Sequence, residues 1–125
     1  NSSKGAYVLC RTSNKSSTFI QEGIYSKVIS LCEALNNQQN IGLVLGATND
    51  DALMQVRNST DLPFLIPGIG AQGGDLQSVL KINEKNMDTT LINVSRGIIF
   101  SGNKDHDSIR NSAKLYLNQL RGLNE

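Results

Sequence analysis

Gly68, Gly70, Gly73 and Gly74 fall between Pro67 and Asp75, directly after the apolar run Phe64-Leu65-Ile66. Arg96 follows the next such run, Leu91 to Val94, and is itself followed by Gly97. Positions without a Cβ let backbone N–H groups approach an anion closely, and an arginine adds a charge-assisted donor of fixed geometry. Together they suit a phosphate group. The glycines alone equally suit a tight left-handed turn entering a helix, and a loop arginine alone is commonly solvated. Their occurrence after consecutive strand-like runs favours the anion reading.

Those runs belong to an alternation of strand and helix that recurs along the chain. Ala6 to Cys10 reads as a short apolar strand ending in the polar run Arg11-Thr12-Ser13-Asn14. Ile24, Val28, Leu31, Cys32 and Leu35 then recur at helical spacing as one apolar stripe. Ile41 to Ala47 lacks polar alternation, the pattern of a strand covered on both faces, and Thr48 or Asn49 can cap a helix opened by Asp50 and Asp51. That helix shows Leu53, Met54 and Val56 as its apolar side. Pro63 to Pro67 reads as the third strand, followed by the glycine turn and a helix carrying Leu76, Val79 and Leu80. Thr89 to Val94 is the fourth, ending in the polar turn Ser95-Arg96-Gly97, and a last helix presents Ile109, Ala113, Tyr116, Leu117 and Leu120.

This alternation predicts βαβ crossovers and an α/β fold with a parallel sheet. Ligand sites in such folds gather at the carboxyl ends of the strands. Four places qualify: Thr12 to Asn14, Ala47 to Asn49, Gly68 to Asp75, and Asn93 to Gly97. A glycine turn after one strand and an arginine loop after the next also match the phosphate site built by the last two units of (βα)8 barrels.

Composition narrows the partners. The chain has 125 residues, 38% hydrophobic and 18% charged, with a formal net charge of +1. Its Lys and Arg residues are scattered rather than clustered, so neither nucleic acid nor an anionic membrane surface is an expected partner. No apolar run approaches the roughly 20 residues of a membrane helix. The amino terminus has neither an initiator Met nor the apolar core of a secretory signal, so we expect a cytoplasmic protein whose chain is a portion of a longer one. Cys10 and Cys32, in a strand and a helix and outside any metal-ligand spacing, read as free core thiols.

The linked motifs PFLIPGIGAQGGD, VLCRTSN, GLVLGAT and LINVSRGI resemble orotidine 5'-phosphate decarboxylase, specifically its longer-chain branch, in order and across nearly the whole chain. The resemblance implies half of a (βα)8 TIM barrel, strands five to eight with their helices spanning residues 1–125, completed by another chain or segment. It implies orotidine 5'-monophosphate and uridine 5'-monophosphate as ligands, de novo pyrimidine biosynthesis as the setting, an amino-terminal half as partner, and a homodimer of whole barrels. Gln72 would close over the phosphate and bridge it to the rest of the substrate, Arg96 would contact the phosphate, and N–H groups around Gly70 and Gly97 would add donors. Ser13, with Thr12 beside it, would hydrogen-bond the pyrimidine ring. Where the family commonly reads SNPGS this chain reads Ser13-Asn14-Lys15-Ser16-Ser17, which alters the turn but keeps the Ser13 hydroxyl.

The same resemblance implies a decarboxylation that uses no cofactor and no metal, carried by a lysine flanked by aspartates in an Asp-x-Lys-x-x-Asp element. No such spacing occurs in this sequence. Lys15 and Lys104 lack carboxylates at the required positions, and His106, the one histidine, reads as a surface residue near a helix start. The expectation is therefore a substrate-holding portion with no catalytic residue of its own. Two other readings stand beside it: a non-catalytic, self-associating half-barrel that binds phosphate or nucleotide, and a related barrel acting on another sugar phosphate.

Overall fold

The structure is a computed structural model that describes residues 3–12 and 23–122. Four strands, β1 (Ala6–Arg11), β2 (Ile41–Leu45), β3 (Phe64–Pro67) and β4 (Thr90–Asn93), form one parallel sheet in the order β1-β2-β3-β4. Between and after them run α1 (Tyr25–Leu35), α2 (Asp50–Arg57), α3 (Leu76–Ile82), a 3-10 segment (Glu84–Thr89), α4 (Arg96–Ile99) and α5 (His106–Leu120). Sequential neighbours joined by right-handed crossovers put their helices on one face of a sheet. This is the winding of a barrel wall, not of a doubly wound sheet, whose order reverses partway.

The helix-facing side of the sheet carries the core. Cys10, Leu43, Leu45, Phe64 and Ile66 meet Ile29 and Cys32 of α1, Leu53 and Val56 of α2, and Leu76 and Val79 of α3 in one buried cluster. The opposite face is open. Leu9, Val44, Leu65 and Leu91 are register partners across all four strands, forming an apolar row with Leu9 56% and Leu91 54% exposed at its ends.

Local chemistry explains the boundaries. The Asn49 side chain accepts from the Ala52 N–H at 2.9 Å and starts α2, deciding the choice between Thr48 and Asn49. Asp75 accepts from the N–H groups of Gln77 and Ser78 and from the Ser78 hydroxyl, starting α3 and holding its own carboxyl below the usual carboxylate range. Asp105 does the same for α5 through the Ser108 N–H at 2.8 Å.

Several expectations need correction. β1 continues to Arg11, which is buried, through a register shift between Leu9 and Arg11. The expected stripe on α1 is rotated: Ile29 and Cys32 face the core, while Ile24, Leu31 and Leu35 are exposed, because only the strip of a helix that meets the sheet is covered. Met54 and Leu117 are exposed for the same reason. The polar turn at Arg96 and Gly97 is a single helical turn, α4, closed by Ile99 and Phe100 N–H groups donating to the Ser95 and Arg96 carbonyls.

One buried polar node lies at the amino-terminal end of β3. Arg57, the last residue of α2, donates to the Asn83 side chain at 3.0 Å and to the carbonyls of Thr60 and Leu62, while its guanidinium lies 3.3 Å from the Phe64 ring centre. Burial lowers its pKa to about 10 against the opposing pull of Asp61. Asn83, fully buried, donates in turn to the Val79 carbonyl at 2.8 Å.

Candidate anion-binding site

The loops after β3 and β4 open from the same end of two adjacent strands, whose register pairs Pro67 with Asn93. Between them lies a cleft with an empty volume of about 280 Å³, lined on one side by Pro67, Gly68, Ile69, Ala71 and Gln72 and on the other by Asn93, Ser95 and Arg96. The structure thus brings Gln72 and Arg96, far apart in sequence, to one small solvent-open space.

Each wall is fixed by its own turn. Gly70 has φ +71°, a left-handed conformation that a side chain would strain, and its N–H donates to the Gly74 carbonyl at 3.0 Å. The N–H groups of Gly73 and Gly74 return to the carbonyls of Gly70 and Gly68 at 2.7 and 3.0 Å. These donors tie the loop to itself, and Asp75 occupies the first N–H groups of α3. The helix entry therefore offers an anion less than the sequence suggested, which leaves Arg96 as the charged residue lining the cleft. Gly74 is small for a packing reason, since a Cβ there would lie 2.6 Å from the Ala47 Cβ.

On the other wall, Asn93 donates to the Ser95 hydroxyl at 3.2 Å. Arg96 opens α4 and is exposed, and its side chain makes no ion pair or hydrogen bond among the described residues. An unpaired guanidinium beside two side-chain hydrogen-bonding groups can neutralise and orient an oxyanion. Asn93 and Ser95 were not singled out as ligands beforehand; the signal available was their position flanking Arg96 at a strand's carboxyl end.

Thr12 is half-buried just beyond β1, and Ser13 lies outside the described residues, as do Asn14 to Ser17. Thr12 is separated from the Arg96 wall by three strand spacings, roughly 14 Å. Gly97 sits in α4 with the hydroxyl of Tyr116 against it, and Lys104 and His106 lie in and after the loop preceding α5. His106 is exposed beside Asp107, and Lys104 reaches over the Phe100 ring at 5.5 Å, so both read as surface groups. Among the described residues no three His, Cys, Asp or Glu side chains could together hold a metal ion, and no helix is long and apolar enough to cross a membrane. Cys10 and Cys32 are both buried free thiols, and burial pushes Cys10 up to about 11.

Comparison with known proteins gives one consistent result. A sequence model of the orotidine 5'-phosphate decarboxylase / HUMPS family matches residues 1–108. The chain is 41% identical to the orotidine 5'-phosphate decarboxylase of Halorubrum lacusprofundi over 79% of this chain and 41% of that protein, and 42% identical to that of Natronomonas pharaonis over 79% and 39%. It spans about two-fifths of the length of these curated relatives. Among solved structures it resembles the OMP decarboxylase of Leishmania donovani, with TM-score 0.83 and 34% identity over 98% of this chain and 49% of that one.

Proposed function

The chain belongs to the orotidine 5'-phosphate decarboxylase / HUMPS family, and from that premise we propose that it supplies the phosphate-holding wall of an orotidine 5'-phosphate decarboxylase, which converts orotidine 5'-monophosphate to uridine 5'-monophosphate and carbon dioxide. The observation that carries this reading is the cleft itself: Arg96, whose side chain is unpaired among the described residues, facing Gln72 across the carboxyl ends of β3 and β4. Arg96 contacts the phosphate, Gln72 closes over it, and N–H groups around Gly97 add donors, those of Gly70, Gly73 and Gly74 being held within their own loop. Thr12, across the sheet, and Ser13, next to it in sequence, contact the pyrimidine. A ligand with an anionic group at one end and a hydrogen-bonding ring at the other spans that distance.

The chemistry at the reacting carbon belongs to residues outside this chain, because the family's Asp-x-Lys-x-x-Asp spacing does not occur in it. What this portion contributes is binding energy remote from the reacting carbon, which an enzyme can spend on closure and on the transition state. The open apolar row Leu9-Val44-Leu65-Leu91 supports completion by a second segment, the amino-terminal half, since an uncovered sheet face of this kind needs a partner. That same row also favours a second reading, a non-catalytic half-barrel whose copies cover one another.

Native mass measurement of the purified assembly, followed by turnover of orotidine 5'-monophosphate, tests both. A heteromeric species with decarboxylase activity that is lost in Arg96→Ala supports the first reading. A homodimer that binds uridine 5'-monophosphate without turnover overturns it in favour of the second.

A further inference from the structure

Two glycines of the site are small for a reason unconnected with a ligand. A Cβ at Gly70 would lie 2.6 Å from the Tyr116 hydroxyl oxygen, and a Cβ at Gly97 would lie 2.6 Å from the same atom. One hydroxyl therefore occupies the space that side chains at both positions would need, one in the loop after β3 and one in α4. Gly70 is two residues from Gln72, and Gly97 directly follows Arg96.

A second contact from the same helix face fixes the same wall. Ser112, one turn before Tyr116 on α5, donates its hydroxyl to the Gly97 carbonyl at 2.9 Å. Tyr116 is itself half-buried and packs against the core cluster, so its tip is anchored from behind. It does not line the cleft, and among the described residues its hydroxyl makes no hydrogen bond. Its action on the site is steric and passes through the two glycines. Both Ser112 and Tyr116 lie beyond residue 108, where the match to the family's sequence model ends.

We propose that Tyr116, steadied by Ser112, is a positioning residue: its hydroxyl is the spacer that sets the separation of the Gln72 loop from the Arg96 turn. The proposal rests on the reading of that cleft as an anion site. It makes α5 the brace that holds the two walls at phosphate-binding distance, so that a displacement of this helix would loosen binding without touching any ligand-contacting side chain. Errors of the order of an ångström in such a site carry large losses.

A mutant cycle tests it on the 125-residue chain. Gly97 has no left-handed φ, so alanine there would ordinarily favour a helix; its obstacle is the Tyr116 hydroxyl. Gly97→Ala should weaken inorganic phosphate binding roughly tenfold in calorimetry and shift the amide resonances of Ala71 and Gln72 on the opposite wall. Adding Tyr116→Phe removes the clashing oxygen, leaving the ring carbon that bore it 3.3 Å from the new methyl, and should restore most of both effects. Additive effects of the two substitutions, or the absence of any Ala71 and Gln72 response to Gly97→Ala, would overturn the brace. If the unmutated chain fails to bind phosphate, the anion reading falls; the ligand-free amide shifts then decide, their rescue by Tyr116→Phe supporting the spacer and its absence overturning it.

Discussion

Arg57 and Arg96 stand at opposite ends of the same sheet and use one side chain in two ways. Arg57 is buried, saturated along one edge by Asn83 and the carbonyls of Thr60 and Leu62, and stacked on Phe64. Arg96 is exposed, without a partner among the described residues, on the wall of a cleft. The first has exchanged water for protein and is committed to the fold. The second retains its hydrogen-bonding capacity for whatever enters the cleft. Burial and partnering, more than residue type, separate a structural cation from a binding one.

The comparison breaks most readily at Arg57. Arg57→Ala removes the partner of Asn83 and of two carbonyls, and should cost about 3–5 kcal/mol of folding stability, read from urea unfolding. An unchanged midpoint would remove the structural half of the contrast. Arg96→Ala should do the reverse. In the complemented enzyme it should lose about 2–4 kcal/mol of transition-state stabilisation from kcat/KM, with folding stability unchanged within about 0.5 kcal/mol. Unchanged kcat/KM would remove the binding half.

A pH series sharpens the difference, because burial in the core moves the pKa values of Cys10 and Arg57. Burial, reinforced by Cys32 and opposed by Arg11, raises Cys10 from 9.0 to about 11, so the folded state keeps its proton where the unfolded chain has lost it. That contribution is fully present below about pH 9 and is lost as pH rises to about 11, roughly 3 kcal/mol in all. Arg57, whose folded pKa is lowered to about 10, acts in the opposite direction only above that value. Thermal unfolding should therefore weaken between pH 9 and 10, with a shallower slope in Cys10→Ala. The smallest effect concerns the α2 cap: Asn49→Ala should cost about 1 kcal/mol in unfolding, with phosphate affinity unchanged.

Much of this was readable from residue types. β2, β3 and β4 fall within the predicted segments, each shortened by one or two residues, while β1 runs one residue beyond its segment, to Arg11. Gln72 and Arg96, which the resemblance assigns to one phosphate, line one cleft. Other features were not readable. Periodicity marked an apolar stripe on α1 but not its rotation, because Leu31 and Leu35 satisfy the same spacing as Val28 and Cys32 while only contact with the sheet selects between them. Arg57 carried no local sign of burial, since its side-chain partner Asn83 and the Phe64 ring beneath it come from other elements of the fold.

The sequence by itself determined the α/β alternation, the parallel sheet, the family and the pair of loops that line the cleft, because each depends on local spacing, on turn chemistry or on linked motifs that need no knowledge of distant neighbours. Tertiary structure alone decided why the site's glycines are small. Gly70 and Gly97 read as room for a ligand, yet the atom pressed against both is the Tyr116 hydroxyl, carried there by a helix that local patterning could only mark as apolar on one side. Such a contact joins three separate elements, and only the packed chain brings them within van der Waals reach.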